Sequence, residues 1–446
     1  MHTSLSIHHM LLPREQNSIK EPTQFYICNM ISISRLYLGH LFETDNFRYG
    51  VEDSQAQAAL AAKPSFGHGH KAGGAADAML AGIRKVHERP VVVWNSTNRC
   101  NLKCVHCYAK ANQDVNPSEL STVEAKAMID DLASYGAPVL LMSGGEPLVR
   151  HDAIELIAYA RDKGMRPVLS TNGTLIDTVV AQELKDAGAT YAGISLDGLE
   201  SINDEFRGVK GSYRKALDGI HACLSVGLKV GLRFTINKRN HAELPGILKM
   251  LADEGIPRAC FYHLVYAGRG AAIASEDLTS TEARAAMDTI LDGSEALKQQ
   301  GKEVELLTVA NHCDGPYIYL RMKREGHPLA DKALELMKIG GGNSSGVGIG
   351  CISWNGDVHP DQFWREKILG NIRNNPFSQI WENSLGADFM GMLKNKKQYV
   401  TGRCAACKFL DVCGGNIRCR AEALTGDLWA PDPACYLTDA EIGIEQ

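Results

Sequence analysis

Three cysteines near residue 100 have the spacing of metal ligands. Cys100, Cys104 and Cys107 form a C-x3-C-x2-C pattern after an apolar run that ends at Trp94. Three thiolates on one short loop can bind three corners of a four-iron four-sulfur cluster and leave the fourth iron open to a small chelating ligand. The alternative is a structural zinc site, which needs a fourth protein ligand. His106 is available for that role, but it lies between two of the cysteines.

A second group of cysteines lies near the C-terminus. Cys404, Cys407 and Cys413 follow a C-x2-C-x5-C pattern, and Cys435 comes farther on. Four thiolates suit either a second 4Fe-4S cluster or a zinc ribbon, and the first motif favours iron and sulfur. Four cysteine ligands would leave no iron of this cluster open. The pattern therefore predicts an auxiliary cluster that conducts electrons and does not bind substrate directly.

The remaining cysteines carry weaker signals. The chain has 13 cysteines in 446 residues, and a disulfide framework is not expected because the cytosol keeps thiols reduced. Cys351 and Cys419 are interpreted as spare thiols. The isolated cysteines are expected to be buried small hydrophobes; they are Cys28, Cys223, Cys260 and Cys313.

Alternating strand and helix patterns must position these motifs. Apolar runs that end in Gly, Asn or Asp predict six strands, at 91–94, 138–142, 167–170, 191–196, 230–236 and 261–265. Helical spacing predicts helices near 125–132, 153–160, 180–184 and 213–224. Ser121 and Glu124 form a capping box before the first of these helices.

Six consecutive strand–helix units predict a parallel sheet in an α/β fold. Six are too few to close an eight-stranded barrel, so we expect a partial (β/α)6 TIM-like barrel with its chemistry at the C-terminal strand ends. The predicted divisions are an N-terminal extension (1–89), the barrel (90–270), a helical bridge (271–345) and a small Cys-rich C-terminal unit (346–446). The Asn355-Gly356 pair predicts a hairpin in that last unit.

Charge and hydropathy exclude some function classes. The formal net charge is -5, and Lys and Arg are spread along the chain, so no nucleic-acid or membrane-surface partner is expected. The sequence has no apolar stretch of bilayer length and no signal-peptide pattern at its start. A cytoplasmic enzyme is the resulting prediction.

The first motif, CNLKCVHCY, resembles the signature of the radical S-adenosylmethionine (SAM) superfamily. Further segments resemble its SAM-binding positions: GGEP after the second predicted strand, STNG, ISLDG and FRGVKGS. The resemblance implies that SAM chelates the open iron and is cleaved reductively to a 5'-deoxyadenosyl radical. It implies SAM contacts from His106 on the adenine, Gly144, Gly145, Glu146 and Pro147 on the ammonium group, Ser170, Asn172, Ser195 and Asp197 on the ribose, and Arg207 on the carboxylate.

The C-terminal cysteines resemble the SPASM (twitch-like) extension of radical SAM enzymes that carry auxiliary clusters. Two departures from the full pattern stand out. Asp361 lies where a cysteine usually follows the hairpin glycine, and Cys419 comes six residues after Cys413 rather than four. The prediction is therefore one auxiliary 4Fe-4S cluster.

Several longer segments resemble the radical SAM enzymes of siroheme-derived haem pathways, namely MISISRLYLG, FRYG, PVVVWNSTNRCNLKCVHCYA, YHLVYAGRG and NGDVHPDQFW. They are most similar in appearance to the Fe-coproporphyrin III synthase (AhbC) family. This resemblance implies removal of the acetate side chains of 12,18-didecarboxysiroheme to give Fe-coproporphyrin III. The alternatives are propionate removal in haem d1 synthesis (NirJ type), a SPASM peptide maturase, and a non-catalytic iron–sulfur carrier.

An iron tetrapyrrole with carboxylate side chains needs cationic partners and can take an axial imidazole. Arg269 and Arg365 lie in segments expected to face the cavity, and His68, His70 and His359 are candidate iron ligands. Reductive cleavage of SAM also requires an electron donor such as ferredoxin or flavodoxin.

Overall fold

A computed structural model of the chain describes residues 30–40, 89–385 and 388–444. In these residues eleven strands form one sheet. The strands are β1 Met30–Ser32, β2 Val91–Thr97, β3 Val139–Gly144, β4 Arg166–Thr171, β5 Tyr191–Ser195, β6 Val230–Ile236, β7 Arg258–His263, β8 Glu305–Val309, β9 Ile349–Ile352, β10 Asp357–His359 and β11 Gly370–Asn371.

The strand order is β1-β8-β7-β6-β5-β4-β3-β2-β9-β10-β11. The neighbours from β9 and β2 through to β8 are parallel, and antiparallel partners flank them, β1 at one end and β10 with β11 at the other. The order is linear, with β1 and β11 at its two ends, so the α/β partial barrel predicted from the sequence is confirmed. All six predicted strands are present.

Helices follow the strands along the chain. They are α1 Ile33–Leu36, α2 Thr122–Tyr135, α3 Ala153–Asp162, α4 Thr178–Asp186, α5 Glu200–Arg207, α6 Ser212–Ser225, α7 Leu244–Asp253, α8 Ser280–Gln299, α9 Asp314–Arg324, α10 Ala330–Gly340, α11 Phe377–Leu385, α12 Asp388–Lys394, α13 Gly402–Ala405, α14 Leu410–Cys413, α15 Arg418–Thr425 and α16 Asp439–Ile442. Short 3-10 segments are Pro147–Val149, His241–Glu243, Gly268–Glu276 and Lys396–Gln398. The capping box predicted at the start of α2 is confirmed, because Ser121 Oγ and the Glu124 carboxylate each accept the other residue's backbone N–H.

Alternation along the central strands separates the two faces of the sheet. In β4 the side chains alternate between half-buried and buried, and Leu169 of the buried set belongs to the apolar core. Side chains of successive residues point to opposite faces of a strand, so the half-buried set lines the barrel interior. This set includes Ser170 on β4, Ser195 on β5 and Arg233 on β6.

The segment 271–345 is more than a helical bridge. It contains α8, α9 and α10, but it also contributes β8, which pairs in parallel with β7 and carries β1 on its other edge. The expectation of a helical linker missed this strand because its five residues, ELLTV, lie between charged helical stretches. The predicted domain boundaries remain predictions.

The C-terminal unit continues the barrel sheet. The hairpin predicted at Asn355-Gly356 joins β9 and β10, and β9 pairs in parallel with β2, the strand that leads into the first cysteine motif. Farther along, the Arg420 guanidinium donates to both carboxylate oxygens of Asp432 at 2.8 and 2.9 Å and to the carbonyl of Leu264. Among the residues described here, no helix has the length and apolar character needed to cross a membrane.

Candidate functional site

The loop after β2 holds the first three cysteines with their sulfur atoms among hydrogen-bond donors. Cys100 Sγ accepts from the backbone N–H of Leu102 at 3.4 Å and lies 3.9 Å from the amide nitrogen of Asn172. Arg207 Nη1 is 3.6 Å from Cys104 Sγ. Donors around cysteine sulfur stabilise the thiolate form and tune the potential of an iron–sulfur cluster.

Burial and mutual repulsion disfavour the charged forms of these thiols. Burial raises the pKa of Cys100 to about 12, with smaller contributions from Glu146, Cys104 and Cys107. Burial also raises the pKa of Cys104, against the opposing effect of Arg207. Three mutually interacting thiols in a buried loop release their protons when a metal cation takes their place. The donor set therefore fits a cationic metal centre.

The two arginines expected to bind substrate brace this loop. Arg269 Nε donates to the carbonyl of Cys104 at 2.8 Å and its Nη1 to the carbonyl of Ala111 at 2.7 Å. Arg365 Nη1 donates to the carbonyl of Ala109 at 2.7 Å. Loop carbonyls without sheet partners need these donors. That Arg269 and Arg365 also bind a substrate carboxylate stays a prediction.

The glycines of the GGEP segment allow the turn after β3 to lie directly against the cysteine loop. A Cβ on Gly145 would lie 1.9 Å from the carbonyl oxygen of Arg99, and one on Gly144 would lie 2.6 Å from that of Thr97. Hydrogen bonds from Gly145 N to Thr97 O and from Glu146 N to Arg99 O, both 2.8 Å, join the two segments. These glycines are required by a close backbone contact that holds the loop.

Glu146 is fully buried and its carboxylate bonds within the protein. Oε1 accepts from Thr171 Oγ1 at 2.7 Å and from Leu148 N at 3.2 Å, and Oε2 accepts from Asn172 N at 2.7 Å. Burial raises the pKa of this carboxyl group. Glu146 therefore joins the ends of β3 and β4, and the buried Pro147 begins the 3-10 turn beside it.

The predicted polar positions on β4 and β5 have different surroundings. The Asn172 side chain donates to Asn101 Oδ1 at 2.8 Å, which attaches the β4 end to the cysteine loop. Ser170 Oγ accepts from Arg233 Nη1 at 2.6 Å. Ser195, at the end of β5, is half-buried.

Asp197 forms the centre of a charged network beneath the loop. One carboxylate oxygen accepts from the backbone N–H of Thr235 at 2.8 Å, and the other pairs with Arg207 Nη2 and lies 3.6 Å from His106 Nε2. The His106 ring contacts that of Phe206 at 4.7 Å, and its Nδ1 is buried without a partner. Burial lowers the pKa of His106 to about 4, so its imidazole is neutral at physiological pH.

The second group of cysteines lines a single pocket. Cys404, Cys407, Cys413 and Cys435 surround a space of about 410 Å³ that includes its open mouth. Burial raises the pKa of the first three of these thiols. Within the described ranges, no three His, Cys, Asp or Glu side chains converge on a single ion. Four thiolates around one pocket can each bind a separate iron of a cubane.

Sequence reasoning missed a fifth cysteine in this pocket. Cys313 is fully buried at the start of α9 and lines the same space. A hydrogen bond from its thiol lowers the pKa of Cys435 to about 7. The prediction that Cys313 is buried is confirmed, but it is not isolated. No local spacing connects it to the other four cysteines, so only the fold shows this neighbourhood.

The other sequence candidates lie apart from open sites. His359 is buried, and its two ring nitrogens contact Ser353 Oγ at 2.8 Å and the carbonyl of Lys367 at 3.1 Å, so the prediction that it ligates iron was wrong. His68, His70 and Cys28 lie outside the described residues. Cys223 and Cys260 are buried, as expected, and Cys351 and Cys419, which were interpreted as spare thiols, are buried as well.

Asp361 replaces the cysteine of the complete SPASM pattern with a buried acid. Its carboxylate interacts electrostatically with both Cys351 and Cys419. It accepts from the backbone N–H groups of Phe363 at 2.8 Å and Trp364 at 3.0 Å. These bonds satisfy the carboxylate locally and anchor the turn that follows β10.

Two family models match the chain, "Radical SAM superfamily" over residues 94–251 and "Iron-sulfur cluster-binding domain" (SPASM) over residues 348–408. A protein of Methanosarcina barkeri named Fe-coproporphyrin III synthase is 52% identical over 93% of this chain and 99% of its own length. This chain belongs to the radical SAM superfamily. It is an enzyme that uses SAM and 4Fe-4S clusters.

Other radical SAM relatives are more distant. A pre-heme d1 synthase of Dinoroseobacter shibae is 43% identical over 80% of this chain and 88% of its own length. The solved structure titled "Native anSMEcpe with bound AdoMet" matches with a TM-score of 0.61 at 18% identity, covering 78% of this chain and 94% of that one. That likeness supports the radical SAM fold alone.

Proposed function

We propose that this radical SAM enzyme removes the acetate side chains of rings A and B of 12,18-didecarboxysiroheme and so forms Fe-coproporphyrin III. The observation that carries the proposal is 52% identity to a protein of that name over 99% of its length. Similarity across the whole length includes both the barrel and the C-terminal unit, so a relationship limited to one shared domain does not explain it.

The first cysteine loop is proposed to hold the catalytic cluster. Cys100, Cys104 and Cys107 would each bind one iron and leave the fourth iron to SAM. When bound, the cluster and SAM together supply a carbon-centred radical that takes a hydrogen atom from the substrate. Arg207, Asn172 and the Leu102 N–H stabilise negative charge on the cysteine sulfurs.

The SAM contacts inferred from the motifs separate into two groups in this structure. Glu146 bonds to the end of β4, Asp197 bonds to β6 and pairs with Arg207, and Arg207 lies beside Cys104. These three residues are proposed to position the cysteine loop. The positions proposed to touch SAM are His106, the backbone of Gly144, Gly145 and Pro147, Ser170, Asn172 and Ser195. Neutral His106 offers an apolar ring face for adenine.

The auxiliary cluster is proposed to be bound by Cys404, Cys407, Cys413 and Cys435. Four thiols around one pocket leave no coordination position for substrate, so its role would be electron transfer. A ferredoxin- or flavodoxin-like donor is proposed to supply electrons to the enzyme.

A second candidate function is propionate removal of the pre-heme d1 type. It is favoured by the 43% identity to the protein of that name, but the lower identity and the 88% coverage rank it second. A peptide maturase ranks third, since a PqqA peptide cyclase of Bradyrhizobium diazoefficiens is 29% identical.

The test of substrate is direct. Anaerobically reconstituted enzyme with dithionite and SAM is given 12,18-didecarboxysiroheme, and products are identified by mass spectrometry. The expected product has lost both acetate side chains completely, each as CH2COOH and not as CO2 alone. A product that has lost propionate carbon and kept both acetate side chains would refute the proposal. An unchanged Soret band on titration would refute it as well.

The ligand assignment has its own test. Cys104→Ala should abolish release of 5'-deoxyadenosine, whereas Cys223→Ala, which replaces a buried cysteine outside both groups, should retain it. Iron should approach about eight per chain, four for each cluster. Cys413→Ala should lower it to about four, and Cys419→Ala should leave it unchanged. A Cys413→Ala protein with full iron content would contradict the second assignment.

A further inference from the structure

The barrel interior contains an arginine without an acidic partner. Arg233 lies on β6, with Ser195 of β5 and Cys260 of β7 as its register partners. Its Nη1 donates to Ser170 Oγ at 2.6 Å, while its Nε is buried and has no hydrogen-bond partner. Within the part of the chain that the structure describes, no carboxylate forms an ion pair with this guanidinium; the acidic groups that act on it most strongly are phenols and a thiol.

The next arginine of the interior provides the contrast. Arg258 on β7 is also buried, but it pairs with Glu305 at 3.3 Å and stacks on the ring of Tyr191 at 4.8 Å. A guanidinium stays protonated in proteins, and removing it from water costs free energy unless an anion or several acceptors compensate. Arg258 has this compensation from the protein, whereas Arg233 has one hydroxyl oxygen.

Neighbouring strands are built to hold the Arg233 side chain in place. Gly193 of β5 lies beneath it, and a Cβ on that glycine would come within 2.3 Å of Arg233 Nε. The missing side chain lets the guanidinium cross β5 and reach Ser170 on β4. A fixed, planar donor group of this kind is suited to a carboxylate.

The guanidinium also lies within electrostatic reach of the cysteine loop. It acts electrostatically on Tyr108 of the cysteine loop, whose hydroxyl donates to Asn95 Oδ1 at 2.9 Å. Arg233 precedes the end of β6 by three residues, roughly 10 Å along a strand. The SAM carboxylate is expected at the loop iron, and Ser170 beside Arg233 is expected at the neutral SAM ribose, so a carboxylate that reaches Arg233 belongs to the second ligand.

We propose that Arg233 binds a carboxylate of the tetrapyrrole substrate and so helps to set which side chain faces the catalytic centre. This inference rests on the proposed function. Carboxylates are present on both SAM and the tetrapyrrole, and the experiment measures the two ligands separately.

The experiment compares Arg233→Gln with Arg214→Gln in reconstituted full-length enzyme. Arg214 is an exposed arginine of α6, so its replacement removes the same charge away from the interior. Binding of 12,18-didecarboxysiroheme is measured by Soret titration, and SAM is measured by the concentration dependence of 5'-deoxyadenosine release without substrate. Gly193→Ala is a second variant, which keeps the charge but displaces the guanidinium.

The expected result is a 10- to 100-fold higher Kd for the tetrapyrrole in Arg233→Gln, typical of a lost charge-assisted hydrogen-bond pair. The SAM dependence should change much less, because Arg233 reaches the proposed SAM site only through its hydrogen bond to Ser170. Gly193→Ala should weaken tetrapyrrole binding in the same direction, and Arg214→Gln should not. Equal tetrapyrrole Kd values in all variants, or weakened binding of SAM only, would refute the role proposed for Arg233 and would leave the proposed function standing. A wild-type enzyme without a Soret shift would instead refute the proposed substrate, and the inference with it.

Discussion

Replacing Asp197 by Asn distinguishes a positioning role from direct contact with SAM. In the structure one carboxylate oxygen accepts the backbone N–H of Thr235, and the other pairs with Arg207. Asparagine keeps the size of the side chain and one acceptor oxygen but removes the charge. The variant therefore tests whether Asp197 acts by holding Arg207 beside Cys104.

The size of the effect follows from burial. The side chains of Arg207 and Asp197 are 8% and 0% exposed, so the removal of one charge leaves the other buried and unpaired. Such a loss costs about 3–5 kcal/mol, and we expect the lower end because the amide oxygen still accepts one hydrogen bond. In a chain of 446 residues the urea slope should be at or above the upper end of the roughly 1–3 kcal/mol per M of small proteins, so the unfolding midpoint should fall by up to about 1 M.

Urea unfolding followed by circular dichroism measures this change, together with iron content and the KM for SAM. Asp218→Asn is the control, because Asp218 is half exposed and its pair with Arg214 should contribute less than about 1 kcal/mol. If Asp197→Asn unfolds at the wild-type midpoint and only the KM for SAM rises, Asp197 contacts SAM directly and the positioning argument is wrong.

Three further predictions test other contacts. Gly145→Ala should lower the iron content per chain at least several-fold, because the added Cβ would overlap the Arg99 carbonyl. The control is Gly164→Ala, at a glycine with open space around it, and this variant should retain its iron. Asp432→Asn should destabilise the chain by about 3 kcal/mol in thermal unfolding, since it leaves Arg420 buried without its counter-charge, and an unchanged midpoint would contradict this. The Arg373 hydrogen bond lowers the pKa of Glu124 from 4.5 to about 2. The stabilisation is therefore complete above pH 4.5 and is lost as the pH falls through 2; Glu124→Gln should lose about 1 kcal/mol at pH 7 and converge with wild type near pH 2, as measured by urea unfolding.

Local sequence patterns were sufficient to predict six of the strands and both cysteine motifs. Each central strand has a run of apolar residues bounded by turn residues, and ligand spacing within a loop is visible in the chain itself. The missed strand β8 has only five residues, and β1 has three, and both are stabilised by partners distant in sequence. Pairing of that kind leaves no local signal.

The side-chain predictions missed contacts where a residue's partner lies on another element. Arg269 and Arg365 are loop residues with no sequence sign that cysteine-loop carbonyls need them. Cys313 caps the start of α9, outside the C-terminal unit, yet its thiol bonds to Cys435 near the end of that unit. Arg233 had a signal that was available, since a charged residue inside the apolar run VGLRFTI is unusual in a central strand.

Pairing of β9 with β2 has a consequence for how the polypeptide can be divided. In an expressed fragment that stops before residue 346, one edge of β2 would lose its partner β9. The backbone donors and acceptors of 91–94 on that edge would then face water, a few residues before Cys100. An unpaired strand edge of this kind can pair with other chains and so promotes aggregation. Removal of the auxiliary unit should therefore cause aggregation and displace the cysteine loop. We expect that the two iron–sulfur centres can be obtained only when both units are expressed in one chain.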